Sequence, residues 1–253
     1  MQAAILNLMK RNDESIASYR RALEFDQLIG AEKIRYVLAS MSGESVPQTS
    51  PLEYVRHLFD RYAGSFDHHL VQQLNYRVPE LLTDRLRLLV PAERIDVLDL
   101  GCGTGLCGPV LEPWARTLTG LDVSGKMLDE ARRKHLYDTL VAGEIGAWLP
   151  TQHERFDLVV AADVFIYIGD LEPVFSAVHG ALRPDGLFAF STEASEDADT
   201  RLLESLRYAH SAAYLQRLAS AGGWVVESIA RQVLREEENQ EVGGHLTVLR
   251  RPR

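Results

Sequence analysis

Residues 95–105 read IDVLDLGCGTG, and this stretch decides the fold. Apolar side chains at Ile95, Val97, Leu98 and Leu100 predict a short buried strand. Glycines then fall at 101, 103 and 105, where the backbone can turn sharply and approach a ligand without Cβ clashes. A helical stretch is expected near 105–115. Strand, glycine turn and helix together predict the opening unit of an α/β sheet.

The kind of ligand follows from three details. The spacing is G-x-G-x-G, whereas dinucleotide sites use G-x-G-x-x-G. Asp99 stands at the strand's tip, where it would repel a pyrophosphate and attract a cation. No basic residue lies between 99 and 115 to neutralise a phosphate. S-adenosylmethionine fits, being positive at its sulfonium and ammonium and free of phosphate; the alternative is a turn that serves packing alone. Asp122, 21 residues after Gly101, ends the next apolar run. There its two oxygens could accept both hydroxyls of a ribose, or the residue could cap a helix starting near Ser124.

Working outward, apolar runs at 118–121, 139–142, 156–161 and 187–191 alternate with helical stretches near 125–136 and 171–182. This alternation predicts a doubly wound, Rossmann-like, mostly parallel sheet. Residues 224–229 and 245–249 lie either side of a charged segment without a helix, so they should close the sheet as an antiparallel hairpin. Upstream, 4–40 reads as two helices, with Ile16, Tyr19 and Leu23 and then Ile34, Val37 and Leu38 at helical spacing. Gly43 to Pro51 reads as a linker. Helical character returns over 51–90, with aromatics at Tyr54, Phe59, Tyr62 and Phe66. Three units are expected: a helical hairpin over 1–45, a helical lid over 51–90 and a ligand-binding domain over 91–253. Residues 1–45 are expected to be dispensable for cofactor binding and 51–80 to be needed for closing the site; the alternative for the aromatic helix is simple packing on the sheet.

Residues 95–192 resemble the seven-stranded class I S-adenosylmethionine-dependent methyltransferases, through VLDLGCGTG, GLDVSGKML, FDLVVAADVFIYIGDL and LRPDGLFAFSTE. Asp13 to Asp26 is similar to the second helix of a tetratricopeptide repeat, with Ala17, Tyr19 and Ala22 at its offsets; a solenoid needs about three repeats. With YVRHLFDRYAGSFDHHL and RYAHSAAYLQRLASAGG, it makes the chain resemble predicted bacterial methyltransferases carrying an N-terminal repeat. The resemblance implies methyl transfer to an O, N or C nucleophile. It implies that Gly101, Cys102, Gly103 and Gly105 meet the methionine part of the cofactor, with Asp99 near its amino group. Asp122 would hold the ribose, Val123 and Met127 would flank adenine, and Glu144 and Ile145 would meet the adenine edge. Related enzymes carry a Tyr-Asp pair where this chain has Phe66-Asp67, so Tyr62 or Tyr76 would supply the missing hydroxyl.

A base is needed only if the acceptor must lose a proton. Tyr167, His210, His68 and His69 are the candidates. No Asn/Asp-Pro-Pro-aromatic tetrapeptide follows the fourth run, and neither cysteine lies where a cytosine-attacking thiol would. With a net charge of −9, a nucleic-acid partner is not expected. A small-molecule acceptor is, with a carrier-bound acyl group or a protein side chain behind it. The alternative is a non-catalytic adaptor that binds a protein partner through its N-terminal helices. Cys102 and Cys107 are the only cysteines among 253 residues. They predict a reducing, cytoplasmic setting and, without an H-x₃₋₅-H partner, no zinc. No membrane span or signal peptide is read.

Overall fold

Strand β1, Ile95–Leu100, owes its position to alternation on two buried faces. Leu98 and Leu100 point into one core and Ile95 and Val97 into the other, so the strand is apolar on both sides, as a central parallel strand must be. The computed structural model describes residues 3, 5, 6, 9–25 and 30–253. The parts of the helical expectation on 4, 7, 8 and 26–29, including Asp26 of the repeat-like stretch, lie outside them.

Around β1 stand β2 (Ala115–Asp122), β3 (Thr139–Ala142), β4 (Phe156–Ala161) and β5 (Leu182–Ala194), all parallel in the order β3-β2-β1-β4-β5. Two short strands, β6 (Thr200–Leu202) and β7 (Tyr208–His210), sit at the far end of β5. The sheet closes with the expected hairpin of β8 (Val225–Glu237) and β9 (Gln240–Arg250), β9 running antiparallel to β5. Its strands are longer than expected, because charged residues on an edge strand read as a loop by composition. The three-residue strands β6 and β7 were not expected, being too short to carry a period.

The longer helices are α1 (Asn12–Phe25), α2 (Ala31–Ser42), α3 (Leu52–Tyr62), α4 (Val78–Leu86), α5 (Gly125–Arg133), α6 (Glu172–Ala181) and α7 (Ala212–Ala221). Val174, Phe175 and Val178 of α6 and Leu215 of α7 cover one face of the sheet. Val78, Leu82 and Leu86 of α4 cover the other. The helix expected over 105–115 shrinks to a single turn, Gly108–Leu111, followed by Glu112–Trp114. Pro109 and Pro113 explain this, since neither can donate a backbone hydrogen bond.

The N-terminal hairpin and the linker are fastened to the sheet. Tyr36 of α2 is fully buried, with its ring 5.8 Å from Tyr54 and 6.1 Å from Tyr208. Its hydroxyl donates to the Leu206 carbonyl at 2.8 Å and pairs with Ser50 Oγ at 2.7 Å. The Gln48 carbonyl accepts from Gly169 and Asp170, and the Ser50 N–H donates to the Tyr167 carbonyl. Residues 43–51 are thus stitched to the loop after β4. Among the described residues no helix is long and apolar enough to cross a membrane, and no group of three or more His, Cys, Asp or Glu could hold a metal ion.

Candidate active site

Asp99 and Asp122 end two neighbouring parallel strands, and the glycine turn leaves β1 between them. The backbone N–H groups of Gly101 and Cys102 both donate to the Leu121 carbonyl, at 2.7 and 3.0 Å, pinning the turn against β2. Gly101, Gly103 and Gly105 all adopt the left-handed conformation, at φ of 73°, 53° and 83°, which favours glycine. A Cβ on Gly101 would meet Val164 at 2.4 Å; one on Gly103 would meet only Phe66, at 3.9 Å. The first glycine permits close packing and the second leaves space.

Asp99 is fully buried. Tyr137 donates to its Oδ2 at 2.6 Å, while Oδ1 has no partner. Burial pushes this carboxyl up to about 7; the Tyr137 bond works against the shift and the nearby Asp122 charge adds to it. A buried acceptor without a donor is costly, and a cationic ligand group would complete it. Asp122 accepts from Gly103 N–H through Oδ2 and from Ser124 N–H through Oδ1, both at 2.8 Å. The helix cap itself is Ser124, whose hydroxyl accepts from Met127 N–H. Asp122 therefore rigidifies the turn and retains lone pairs for a ligand. Burial raises its carboxyl as well.

Both carboxylates line one cavity. Leu52, Val55 and Phe59, on one face of α3, form its roof with Phe66, Leu70 and Tyr76. Three polar contacts hold this roof to the floor. Ser124 Oγ donates to Asp60 at 2.6 Å. Asp67 accepts from the Thr104 hydroxyl and pairs with Lys134 at 2.7 Å.

The tip of β4 supplies a third carboxylate. Asp163 lines the cavity with a left-handed φ of 54°. Ser191 Oγ donates to its Oδ1 at 2.9 Å, and buried Arg235 donates to its Oδ2 at 2.9 Å. Arg235 also binds Glu193 and Glu237, and Glu237 pairs with Arg207. Neither Asp163 nor Tyr137 was singled out from sequence. Asp163 follows the rule that found Asp99 and Asp122, a carboxylate just beyond an apolar parallel strand. Tyr137 carries no such signal, lying in a loop at no repeating interval.

Of the expected site residues, Asp99, Gly101, Cys102, Gly103, Asp122, Val123, Glu144, Ile145, Tyr76 and Tyr167 share this cavity. Glu144 is exposed and spends Oε1 on the Gly146 N–H, capping the short helix Ile145–Trp148. The others lie elsewhere. Gly105 is a packing residue, where a Cβ would meet Tyr137 at 2.9 Å. Met127 is fully buried beneath α5. Tyr62 packs edge-on against Phe66 and His69, outside the cavity lining. Both thiols are free and buried, and burial pushes them well up.

The proton-transfer candidates fare poorly. His68 is exposed and away from the cavity. His210 is fully buried outside it, with Nε2 against the Gly169 carbonyl at 3.1 Å and Nδ1 unpaired. Burial drives its pKa down to about 4, so it is a neutral core residue. Tyr167 does reach the cavity, but burial pushes its phenol up to about 12. At neutral pH it is a hydrogen-bond donor.

Residues 98–190 match the family model described as a methyltransferase domain. The malonyl-[acyl-carrier protein] O-methyltransferase of Pseudescherichia vulneris is 35% identical over 137 residues, covering 54% of this chain and 52% of that protein. The biotin biosynthesis bifunctional protein BioHC of Saccharophagus degradans is 32% identical over 161 residues, 57% of this chain and 29% of that one. The chain therefore spans about half, or less, of the length of these curated relatives. A solved structure of Burkholderia thailandensis 1,6-didemethyltoxoflavin-N1-methyltransferase, with 1,6-didemethyltoxoflavin and S-adenosylhomocysteine bound, has a TM-score of 0.63 at 19% identity. It covers 83% of this chain and 93% of its own, a likeness of fold. Over residues 98–190 the chain is thus similar to methyltransferase domains, on a fold shared with a solved methyltransferase structure.

Proposed function

We propose that the protein transfers a methyl group from S-adenosylmethionine to an O, N or C nucleophile of a small-molecule acceptor held under the α3 lid. One observation carries this reading. Two carboxylates on adjacent strand tips, Asp99 buried and Asp122 half-buried, flank a glycine turn that leaves open space, and Asp99 keeps one oxygen without a donor.

In this reading Asp99 Oδ1 receives the cofactor's ammonium, and Asp122 receives the ribose hydroxyls from its fixed orientation. Val123 and Ile145 flank the adenine, with Glu144 at its edge. The cofactor, when bound, supplies a methyl group already activated for in-line displacement. The chain's own task is alignment and the exclusion of water, worth up to roughly 7–11 kcal/mol in well-held pairs. Phe59, Phe66 and Leu70 keep water out, and the contacts of Asp60 and Asp67 hold the lid down. Tyr76 and Tyr167, both kept protonated by burial, orient the acceptor by donating hydrogen bonds.

The test is incubation with S-adenosylmethionine tritiated in its methyl group together with a filtered metabolite extract. Label moving to a small metabolite is expected. Label retained on the protein without transfer to any fraction would favour the adaptor reading.

A further inference from the structure

We infer that the acceptor is an amine, seated with its nitrogen against Asp163, and that a free carboxylate is rejected; this rests on the methyltransferase reading above. The first support is the charge of the cavity wall. Asp99, Asp122, Glu144 and Asp163 line it, and among the described residues no Lys, Arg or His does. A carboxylate acceptor, such as the malonyl group in the name of the Pseudescherichia relative, would meet no countercharge from the protein wall there. Burying an unpaired charge is strongly unfavourable.

The second support is how Asp163 is built. Asp163 N–H donates to Ser191 Oγ at 2.8 Å, that hydroxyl returns a bond to Oδ1, and Arg235 holds Oδ2. Both oxygens are fixed in direction, and each retains a lone pair. Arg235 is only 4% exposed, so the scaffold behind Asp163 is rigid and dry. Three carboxylates, Asp163, Glu193 and Glu237, face two guanidiniums, Arg207 and Arg235. The formal sum is −1, and Asp163 is the member at the cavity wall. An ammonium there would bring the cluster to neutrality. Tyr76 and Tyr167 line the same cavity, placing aromatic faces and hydroxyls near such a cation.

The chemistry balances. The bound ammonium loses one proton to solvent water, and Asp163 holds the resulting amine by accepting an N–H hydrogen bond. The freed lone pair forms the N–C bond while the S–C bond breaks and its electron pair stays on sulfur. The methylated amine leaves as a cation.

Three probes of one frame test this: phenethylamine, phenethyl alcohol and phenylacetate. Each is titrated by calorimetry into the full chain saturated with S-adenosylhomocysteine. The amine should bind about tenfold or more tighter than the alcohol, the size of one hydrogen bond to a charged group, and phenylacetate weakest. Asp163→Asn should erase that preference and Asp163→Glu should restore part of it. Affinity for S-adenosylhomocysteine in each variant reports whether the fold survives. Phenylacetate binding as well as the amine, absence of amine binding, or an unchanged preference in Asp163→Asn would overturn the inference. So would a loss in Asp163→Asn of affinity for S-adenosylmethionine alone, which would put Asp163 beside the sulfonium. Failure of the wild-type chain to bind S-adenosylhomocysteine would instead refute the methyltransferase reading itself.

Discussion

The Tyr137 hydroxyl donates to Oδ2 of Asp99 at 2.6 Å and leaves Oδ1 buried without a donor. One bond orients the carboxyl and does not satisfy it. Burial is the larger influence, and it moves the group to about 7, where cells work.

That position makes ligand binding depend on pH. The folded pKa lies above the unfolded value of about 3.9, so the ligand-free fold binds the extra proton. Its stability should fall as pH rises from about 4 to about 7 and level off above. An ammonium at Oδ1 favours the charged form, so cofactor binding near pH 6 should release about one proton. Calorimetry in buffers of differing ionisation heat measures this directly. Asp99→Asn should release none; equal release in that variant would place the titrating group elsewhere.

Asp122→Ala should weaken S-adenosylhomocysteine binding by about 2–4 kcal/mol, roughly 30- to 1000-fold, through lost ligand bonds and a loosened Gly103 N–H. An affinity within about threefold of wild type would confine Asp122 to holding the turn.

The two glycines should separate stability from binding. Gly101→Ala drives a methyl group into Val164 at 2.4 Å and should lower the melting temperature clearly. Gly103→Val costs about 1–2 kcal/mol of left-handed strain, but its side chain enters open space. Its circular dichroism should stay close to wild type while cofactor binding disappears. Retained binding in Gly103→Val would mean the turn does not face the ligand.

The glycine turn and the carboxylates were legible because their spacing follows from how a strand tip meets a ligand. Asp163 was equally legible, standing just beyond the apolar run at 156–161, yet was not singled out. Tyr137 was not, since its partner lies 38 positions away and no interval marks it. The histidines show the converse: composition names them as bases, and only burial shows His210 to be part of the core. Tyr36 likewise reads as one apolar residue on a helix, while its role in fastening that helix depends on Tyr208, which is distant in sequence.

Tyr36→Ala should therefore destabilise the whole domain by about 3–5 kcal/mol, as for other large buried aromatics. A chain starting at residue 46 should melt earlier for the same reason. Unchanged melting in both would restore residues 1–45 as a separable hairpin.

The lid contacts should govern exchange of the cofactor. Replacing Asp60 and Asp67 together by Ala removes the bonds to Ser124, Thr104 and Lys134. Dissociation of S-adenosylhomocysteine, followed by stopped flow, should speed up by about tenfold or more. An unchanged rate would mean that α3 is packing and not a lid.

The central claim is that the cavity between Asp99 and Asp122 is a cofactor site. Titration calorimetry of the full chain with S-adenosylhomocysteine tests it most directly. Saturable binding with one ligand per chain and a dissociation constant in the micromolar range is the predicted result. No heat, together with no shift in melting temperature at a large excess of ligand, would contradict it.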